Sequence, residues 1–146
     1  MKGKTFLLLF LIILPIFGWA VTDTGGQVET KLYVNPPVAT ASPGGTFTVN
    51  INVARVKNLY GYEFKLKWEP SLLDVTSVTE GSFLNAEETY DTYFDKKIWN
   101  EPDPLGVSGY ILVTCTLLGE PATAAATGDG TLATVEFLVK EGGNTS

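Results

Sequence analysis

Carboxylates are the side chains of this sequence best suited to acid–base or metal chemistry. They concentrate at Glu87, Glu88, Asp91 and Asp95, followed by Glu101 and Asp103. Glycoside hydrolysis needs two carboxylates held at a fixed separation beside a cleft, and nothing in this spacing marks such a pair. The spacing also lacks a D-x-[DN]-x-[DN]-G calcium loop. The sequence therefore predicts a solvated acidic loop, with no catalytic residue, no metal site and no cofactor.

Histidine and cysteine chemistry is restricted by composition. The chain contains no histidine and one cysteine, Cys115. Without histidine, Ser–His and Cys–His catalysis and most zinc sites are excluded. Cys115 alternates with Ile111, Val113 and Leu117, which predicts a small buried hydrophobe rather than a reactive thiol. Since a single cysteine cannot form an intramolecular disulfide, stability has to come from the core.

Exposed aromatic side chains offer a different chemistry, because flat rows of tryptophan and tyrosine stack on sugar rings. The candidates are Tyr90, Tyr93 and Trp99. We place Tyr93 and Trp99 on opposite sides of their strand, so the sequence does not predict a flat row. Trp99 is expected to be partly buried in the core, and so is Trp68.

The clearest structural pattern is the alternation over residues 60–68. Its apolar side carries Tyr60, Tyr62, Phe64, Leu66 and Trp68, and its polar side carries Glu63, Lys65 and Lys67. A period of two indicates a strand with one buried and one solvated face. Residues 109–118 alternate in the same way, and their outward set is Tyr110, Leu112, Thr114 and Thr116.

The whole chain shows about seven such segments, separated by turn signals and without a long helical pattern. They are predicted at residues 32–34, 46–53, 61–68, 72–78, 92–100, 109–118 and 134–140. Residues 119–130 are expected to form a flexible connection. This pattern predicts an all-β fold, a two-sheet antiparallel β-sandwich.

The first residues predict export. Lys2 and Lys4 precede an apolar run, and Gly18-Trp19-Ala20 supplies small residues at a cleavage site, which is typical of a signal peptide over residues 1–20. A loose leader at 21–30 and one domain at 31–146 follow. The net charge of −6 becomes more negative after cleavage, which argues against nucleic acid and anionic lipid as partners. We expect a secreted or cell-surface protein that meets the membrane only during secretion.

The segments around the central strand resemble the cohesin domain, the receptor half of the cohesin–dockerin pair. The matching blocks read LYG at 59–61, WEP at 68–70, LLDV at 72–75, GSFL at 81–84 and GTLATVEF at 130–137. The resemblance covers roughly residues 33–140 and implies jelly-roll connections. Cohesins carry a further strand after this region that pairs with the first strand, so the final strand is expected to be missing here.

The resemblance also implies a dockerin-like partner that lies across one sheet. The implied partner-binding residues are Glu63, Lys65, Lys67, Tyr110, Leu112 and Thr114. Glu63 matches an acidic contact position of the family, whereas Gly61 stands where other cohesins carry a polar side chain. Two alternatives stay open: a carbohydrate-binding module on a related sandwich, for which polysaccharide is the partner, and a structural domain of a cell-surface protein without a ligand.

Overall fold

Seven β-strands make up the regular structure of the described residues. The computed structural model describes residues 29–86, 90–102, 108–119 and 125–140. The strands are β1 (Lys31–Asn35), β2 (Thr46–Leu59), β3 (Gly61–Trp68), β4 (Leu73–Glu80), β5 (Thr92–Trp99), β6 (Gly109–Leu117) and β7 (Ala126–Val139). The predicted signal peptide and the region after Lys140 lie outside the described residues. Over the described ranges, no helix is long and apolar enough to cross a membrane.

The strands form two antiparallel sheets. One has the order β1-β2-β7-β4 and the other the order β3-β6-β5. Strands that follow one another along the chain often lie in different sheets, as β2 and β3 do, so the chain crosses repeatedly between the two layers. This arrangement confirms the predicted two-sheet antiparallel sandwich with jelly-roll connections.

The core lies between the two sheets and follows the predicted alternation. On β6 the side chains of Ile111, Val113 and Cys115 are at most 1% exposed. Trp68 is buried as predicted, its ring meets that of Phe137 edge-on at 5.5 Å, and its indole N–H donates to a backbone carbonyl. Fully burying an aliphatic side chain contributes about 1.5–3 kcal/mol, so this layer dominates the stability of a chain without disulfides.

Strands β2 and β7 are longer than predicted. The sequence placed residues 126–130 in a flexible connection, but this part of that prediction is wrong because they pair with the end of β2. The pairing passes through bulges at which Arg55 and Asn58 have positive φ. The N–H groups of these two residues donate to the side chains of Asp129 and Thr127, which satisfies the backbone where the ladder shifts.

The turn after β4 requires glycine because the chain passes very close to β7. A Cβ atom on Gly81 would lie 2.1 Å from the carbonyl oxygen of Thr131, a distance that no side chain tolerates. The turn directs Phe83 and Leu84 into the second half of the core, where they are 8% and 6% exposed. The apolar pair of the GSFL block at 81–84 is therefore part of the core.

The four-stranded sheet extends one strand beyond the three-stranded sheet. Strand β5 lies over β4, since the Asn100 side chain bonds the backbone N–H and C=O of Val75. With β5 over β4, the strand orders place β6 over β7 and β3 over β2. Among the described residues, nothing covers β1. Leu32 and Val34 share the inner side with their buried partners on β2, yet they are 58% and 39% exposed.

Candidate functional site

The residues predicted to bind a partner all lie on one surface. Side chains of β6 alternate strictly between buried and half-buried, so Tyr110, Leu112 and Thr114 point away from the core. Their paired neighbours Lys67, Lys65 and Glu63 on β3 point to the same side and are exposed. We call this surface of the β3-β6-β5 sheet the outer face.

Strand β5 contributes residues to the outer face that the sequence analysis did not include. The register pairs them in rows across the sheet: Lys67, Tyr110 and Trp99; Lys65, Leu112 and Lys97; Glu63, Thr114 and Asp95; Gly61, Thr116 and Tyr93. The alternation of side chains along a strand could have identified them, because the odd-numbered residues of β5 all lie on one side. The outer face therefore spans three strands.

One end of the outer face is aromatic. The rings of Trp99 and Tyr110 stack with centroids 4.2 Å apart and planes at 25°. The ammonium group of Lys65 lies 3.7 Å from the centroid of the Tyr110 ring, within the range of a cation–π interaction. These contacts pack two large side chains and a cation against one another at this end of the outer face.

The placement of Tyr93 and Trp99 corrects the sequence analysis. The two residues are an even number of positions apart, so they share a side of β5 rather than lying on opposite sides. Tyr93 is 57% exposed and Trp99 is 38% exposed, both on the outer face. The expectation that Trp99 is a core residue is therefore wrong, whereas the same expectation for Trp68 is confirmed.

The middle of the outer face places one apolar side chain between two cations. Leu112 is half-buried and is paired with Lys65 on one side and Lys97 on the other. The next row has the opposite charge, because Glu63 and Asp95 flank Thr114, whose hydroxyl donates to the Glu63 carboxylate over 3.2 Å. An apolar centre bordered by separate rows of positive and negative charge is typical of a protein-recognition surface.

Beneath this surface, burial suppresses the ionisation of two side chains. Burial, and secondarily the nearby Glu80 carboxylate, raises the pKa of the Cys115 thiol to about 12. Burial also raises the pKa of Tyr62 well above its ordinary range, and its hydroxyl donates to the carbonyl oxygen of Leu132 on the facing sheet. Both groups are therefore neutral at physiological pH, and both pack in the core.

We expect Cys115 to resist alkylation in the folded protein, because the thiolate is the reactive form. Iodoacetamide at mildly alkaline pH should modify it only after denaturation, as read by intact mass. Rapid labelling of the native chain would contradict the burial of this thiol.

The stability of the fold should also depend on alkaline pH. Because the pKa values of Cys115 and Tyr62 are raised in the folded state, their contribution to stability is fully present below their ordinary values of 9.0 and 10.0. This contribution is lost as pH rises from about 9 towards 12, so the melting temperature should fall there.

The acidic residues outside the outer face form no metal centre in the part of the chain that the structure describes. No group of three His, Cys, Asp or Glu side chains able to hold an ion occurs there. Glu87, Glu88 and Asp103 lie outside the described residues. The Glu69 carboxylate, which lines a shallow cavity, accepts hydrogen bonds from the backbone N–H and hydroxyl of Ser71, and these bonds lower its pKa. Glu69 thus stabilises the turn before β4.

Comparison with known protein families gives one match that spans most of the chain. The Cohesin domain profile aligns with residues 32–146. A comparison with curated protein sequences gave no match.

Comparison with solved structures returns cohesin modules with the same fold. A type II cohesin–X–dockerin complex of Acetivibrio cellulolyticus aligns with a TM-score of 0.62 and 18% identity, over 76% of this chain and 71% of that one. The second type II cohesin module of the adaptor scaffoldin ScaA from the same organism aligns with a TM-score of 0.61 and 19% identity, over 77% and 64%. A type II cohesin of Bacteroides cellulosolvens aligns with a TM-score of 0.55 and 17% identity, over 75% and 68%. This chain thus spans about two thirds of these modules.

Proposed function

Because this chain belongs to the cohesin domain family, we propose that it is a non-catalytic binding module whose outer face captures a dockerin-like module. The observation that carries the proposal is the position of Leu112 at the centre of an ordered, charged and aromatic sheet surface. One of the structural relatives is a cohesin solved in complex with an X-dockerin partner. The partner-binding residues we assign are Glu63, Lys65, Lys67, Tyr110, Leu112 and Thr114, extended by Asp95, Lys97 and Trp99 of β5.

The chemistry of the outer face specifies the partner that it fits. A partner helix would place an apolar side chain over Leu112, since large apolar contacts near the centre of an interface usually dominate affinity. Carboxylates on the partner would meet the row of Lys65 and Lys97, and basic groups would meet the row of Glu63 and Asp95. Charges at the border mainly set partner choice and association rate.

We also propose that the module acts outside the cell, in an extracellular or surface assembly for polysaccharide breakdown. The basic start, apolar run and small residues of positions 1–20 support export. The excess of acidic residues supports a protein partner rather than nucleic acid. Mass analysis of the exported protein would test cleavage after Ala20.

Surface plasmon resonance against a panel of dockerin modules tests the proposed function directly. We expect saturable binding to at least one member of the panel and none to a panel of unrelated helical pairs. Insoluble cellulose and xylan provide a parallel arm for polysaccharide binding. Saturable binding to polysaccharide with no binding to any dockerin would contradict the proposal.

Glu63→Lys should change which dockerin is preferred. The substitution breaks the hydrogen bond from Thr114 and turns half of the acidic row basic, so partners with basic contact residues are repelled. The order of affinities across the panel is the measurement. Glu29→Lys, an equal change of charge at an exposed residue outside the outer face, is the matched control and should leave that order unaltered. An unaltered order for Glu63→Lys would place the contact surface elsewhere.

Polysaccharide binding is a second candidate because Tyr93 and Trp99 lie on the same side of β5. Six residues of extended strand separate the two rings by about 20 Å, a spacing that a single extended glycan chain can bridge. In this case Tyr93→Ala and Trp99→Ala should each reduce retention on cellulose, whereas Glu63→Lys should not.

A further inference from the structure

The outward side of the four-stranded sheet forms a second broad surface. We call it the rear face and define it by the outward residues of 46–52 on β2, 131–138 on β7 and 74–79 on β4. Its side chains are exposed or half-buried, whereas Val49 and Ile51 on the other side of β2 are buried. The register aligns its middle residues in two uncharged rows: Asn50, Thr134 and Thr79; Asn52 and Thr131. The rear face thus presents hydroxyl and amide groups at its centre.

The rear face carries little free charge. Its charged members are Glu136 and Asp74. The Thr76 hydroxyl donates to the Glu136 carboxylate over 2.8 Å, and Asp74 forms an ion pair with Lys140 over 2.9 Å. The rear face therefore differs from the outer face, whose middle rows are charged.

Two asparagines lie at the centre of the rear face against the preference of their strand. Asparagine is depleted in strands, because its side chain competes for backbone hydrogen bonds, whereas threonine is enriched. Asn50 and Asn52 nevertheless occupy successive outward positions of β2, which is paired on both sides. The preceding outward positions are Thr46 and Thr48. Strand formation alone favours threonine at positions 50 and 52 as well, so the amide groups indicate a role in binding.

Each of these amides is oriented by a threonine hydroxyl on the neighbouring strand. Thr134 donates to Oδ1 of Asn50 over 2.9 Å, and Thr131 donates to Oδ1 of Asn52 over 3.0 Å. The Nδ2 group of each amide has no acceptor among the described residues and keeps two N–H donors, while the hydroxyl oxygen beside it can still accept. Two residues along β2 separate these donor–acceptor pairs by about 7 Å.

We propose that the rear face is a second binding site and that its ligand is a neutral polysaccharide chain. Adjacent hydroxyl groups of a sugar ring can accept from an amide N–H and donate to a threonine oxygen at once, which matches each donor–acceptor pair. Tyr33 pairs with Asn52 and is 44% exposed, so it places a ring on which a sugar can stack at the end of that row. An uncharged polymer also avoids the repulsion that a chain of net charge −6 exerts on an anionic ligand.

The composition of the rear face favours a glycan over a protein partner. Protein interfaces usually have an apolar centre that supplies most of the affinity. Here Asn50 and Thr134 fill the centre, and Leu138 lies at one end beside Thr46. The site is separate from the outer face, because the two sheets present these surfaces to opposite sides of the sandwich. It therefore does not depend on the capture of a dockerin.

Titration of the isotope-labelled full chain with cellohexaose and with xylohexaose tests the proposal by nuclear magnetic resonance. We expect at least one of these neutral glycans to shift the side-chain amide signals of Asn50 and Asn52 saturably. An anionic oligogalacturonate of the same length should not bind. The absence of saturable shifts with both neutral glycans overturns the proposal, and so do shifts confined to Tyr93 and Trp99 on the outer face.

Asn50→Asp is the sharpest variant, because aspartate keeps the oxygen that Thr134 bonds and removes the Nδ2 donors. It should raise the dissociation constant of the bound glycan about tenfold. Asn58→Asp, the same change at an exposed residue of β2 outside the rear face, should leave that constant unaltered. Equal dissociation constants for these two variants overturn the site.

Thr134→Val provides a second variant that keeps the preference for a strand and releases the Asn50 amide. It should also weaken glycan binding, while circular dichroism shows an unchanged fold. Unchanged glycan affinity in Thr134→Val would contradict the role of the oriented amide. Sedimentation that shows a dimer lost in Asn50→Asp would assign the rear face to a second copy of this chain and overturn the proposal.

Discussion

The Leu112→Asp variant is expected to fold normally and to lose its partner, with a dissociation constant raised at least thirtyfold, about 2 kcal/mol. Leu112 is the apolar centre of the outer face, so a carboxylate there removes the main apolar contact and adds a charge that the interface would bury. The fold should survive because the new carboxylate lies between Lys65 and Lys97, which supply opposite-charge neighbours on both sides.

Surface plasmon resonance with the dockerin that binds the unaltered chain measures this effect, and circular dichroism checks the fold. Leu72→Asp is the matched control, because Leu72 is 60% exposed at the turn before β4 and lies outside the outer face. It should bind as the unaltered chain does. Unchanged affinity of Leu112→Asp would show that recognition uses another surface, and unfolding would show that Leu112 supports the core.

Trp99→Ala is expected to weaken the partner complex by about 2 kcal/mol, because tryptophans at an ordered interface are frequent hot spots. The substitution removes the ring that stacks on Tyr110 and leaves the Tyr110 side chain less constrained. Trp99→Phe should keep most of the affinity, since a smaller ring can still stack.

The control for this variant is Ile98→Ala, its neighbour on β5, which is equally exposed at 38% but points to the other side of the strand. Ile98→Ala should leave affinity unchanged. Titration by calorimetry separates a loss of affinity from a loss of active protein. Equal losses of affinity in Trp99→Ala and Ile98→Ala would mean that the end of β5 supports the fold and does not contact the partner.

Alternation over β3 and β6 was strong enough to predict which side chains face the outer surface. Their inward positions from Tyr62 to Trp68 and from Ile111 to Leu117 carry no charged residue, because both strands lie over the other sheet. Strand β5 is harder to interpret, since it is an edge strand whose inward position 96 is a lysine. Lys96 reaches the carbonyl oxygen of Val78 at the border of the core, so polarity does not mark its side.

The length of β2 and β7 could not be predicted for a different reason. Their far ends pair through bulges at Arg55 and Asn58, and each bulge shifts the register and breaks the period of two. Gly128 and Gly130 also resemble loop residues, although both pair with β2. Pairing between segments far apart in sequence leaves no local signal, so only the folded structure shows that these residues belong to strands.

The pairing of β2 with β7 also sets the order in which this chain can fold. The side chains of Asn50 and Thr134 bond across these two central strands although they are 84 residues apart in sequence. Closing so large a loop lowers the conformational entropy of the chain before the contacts between the strands can stabilise it. Domains dominated by such pairing fold in milliseconds to seconds. During synthesis β2 has no β7 to pair with until nearly the whole described chain has emerged. Folding of these strands is therefore expected to begin only after β7 has been synthesised.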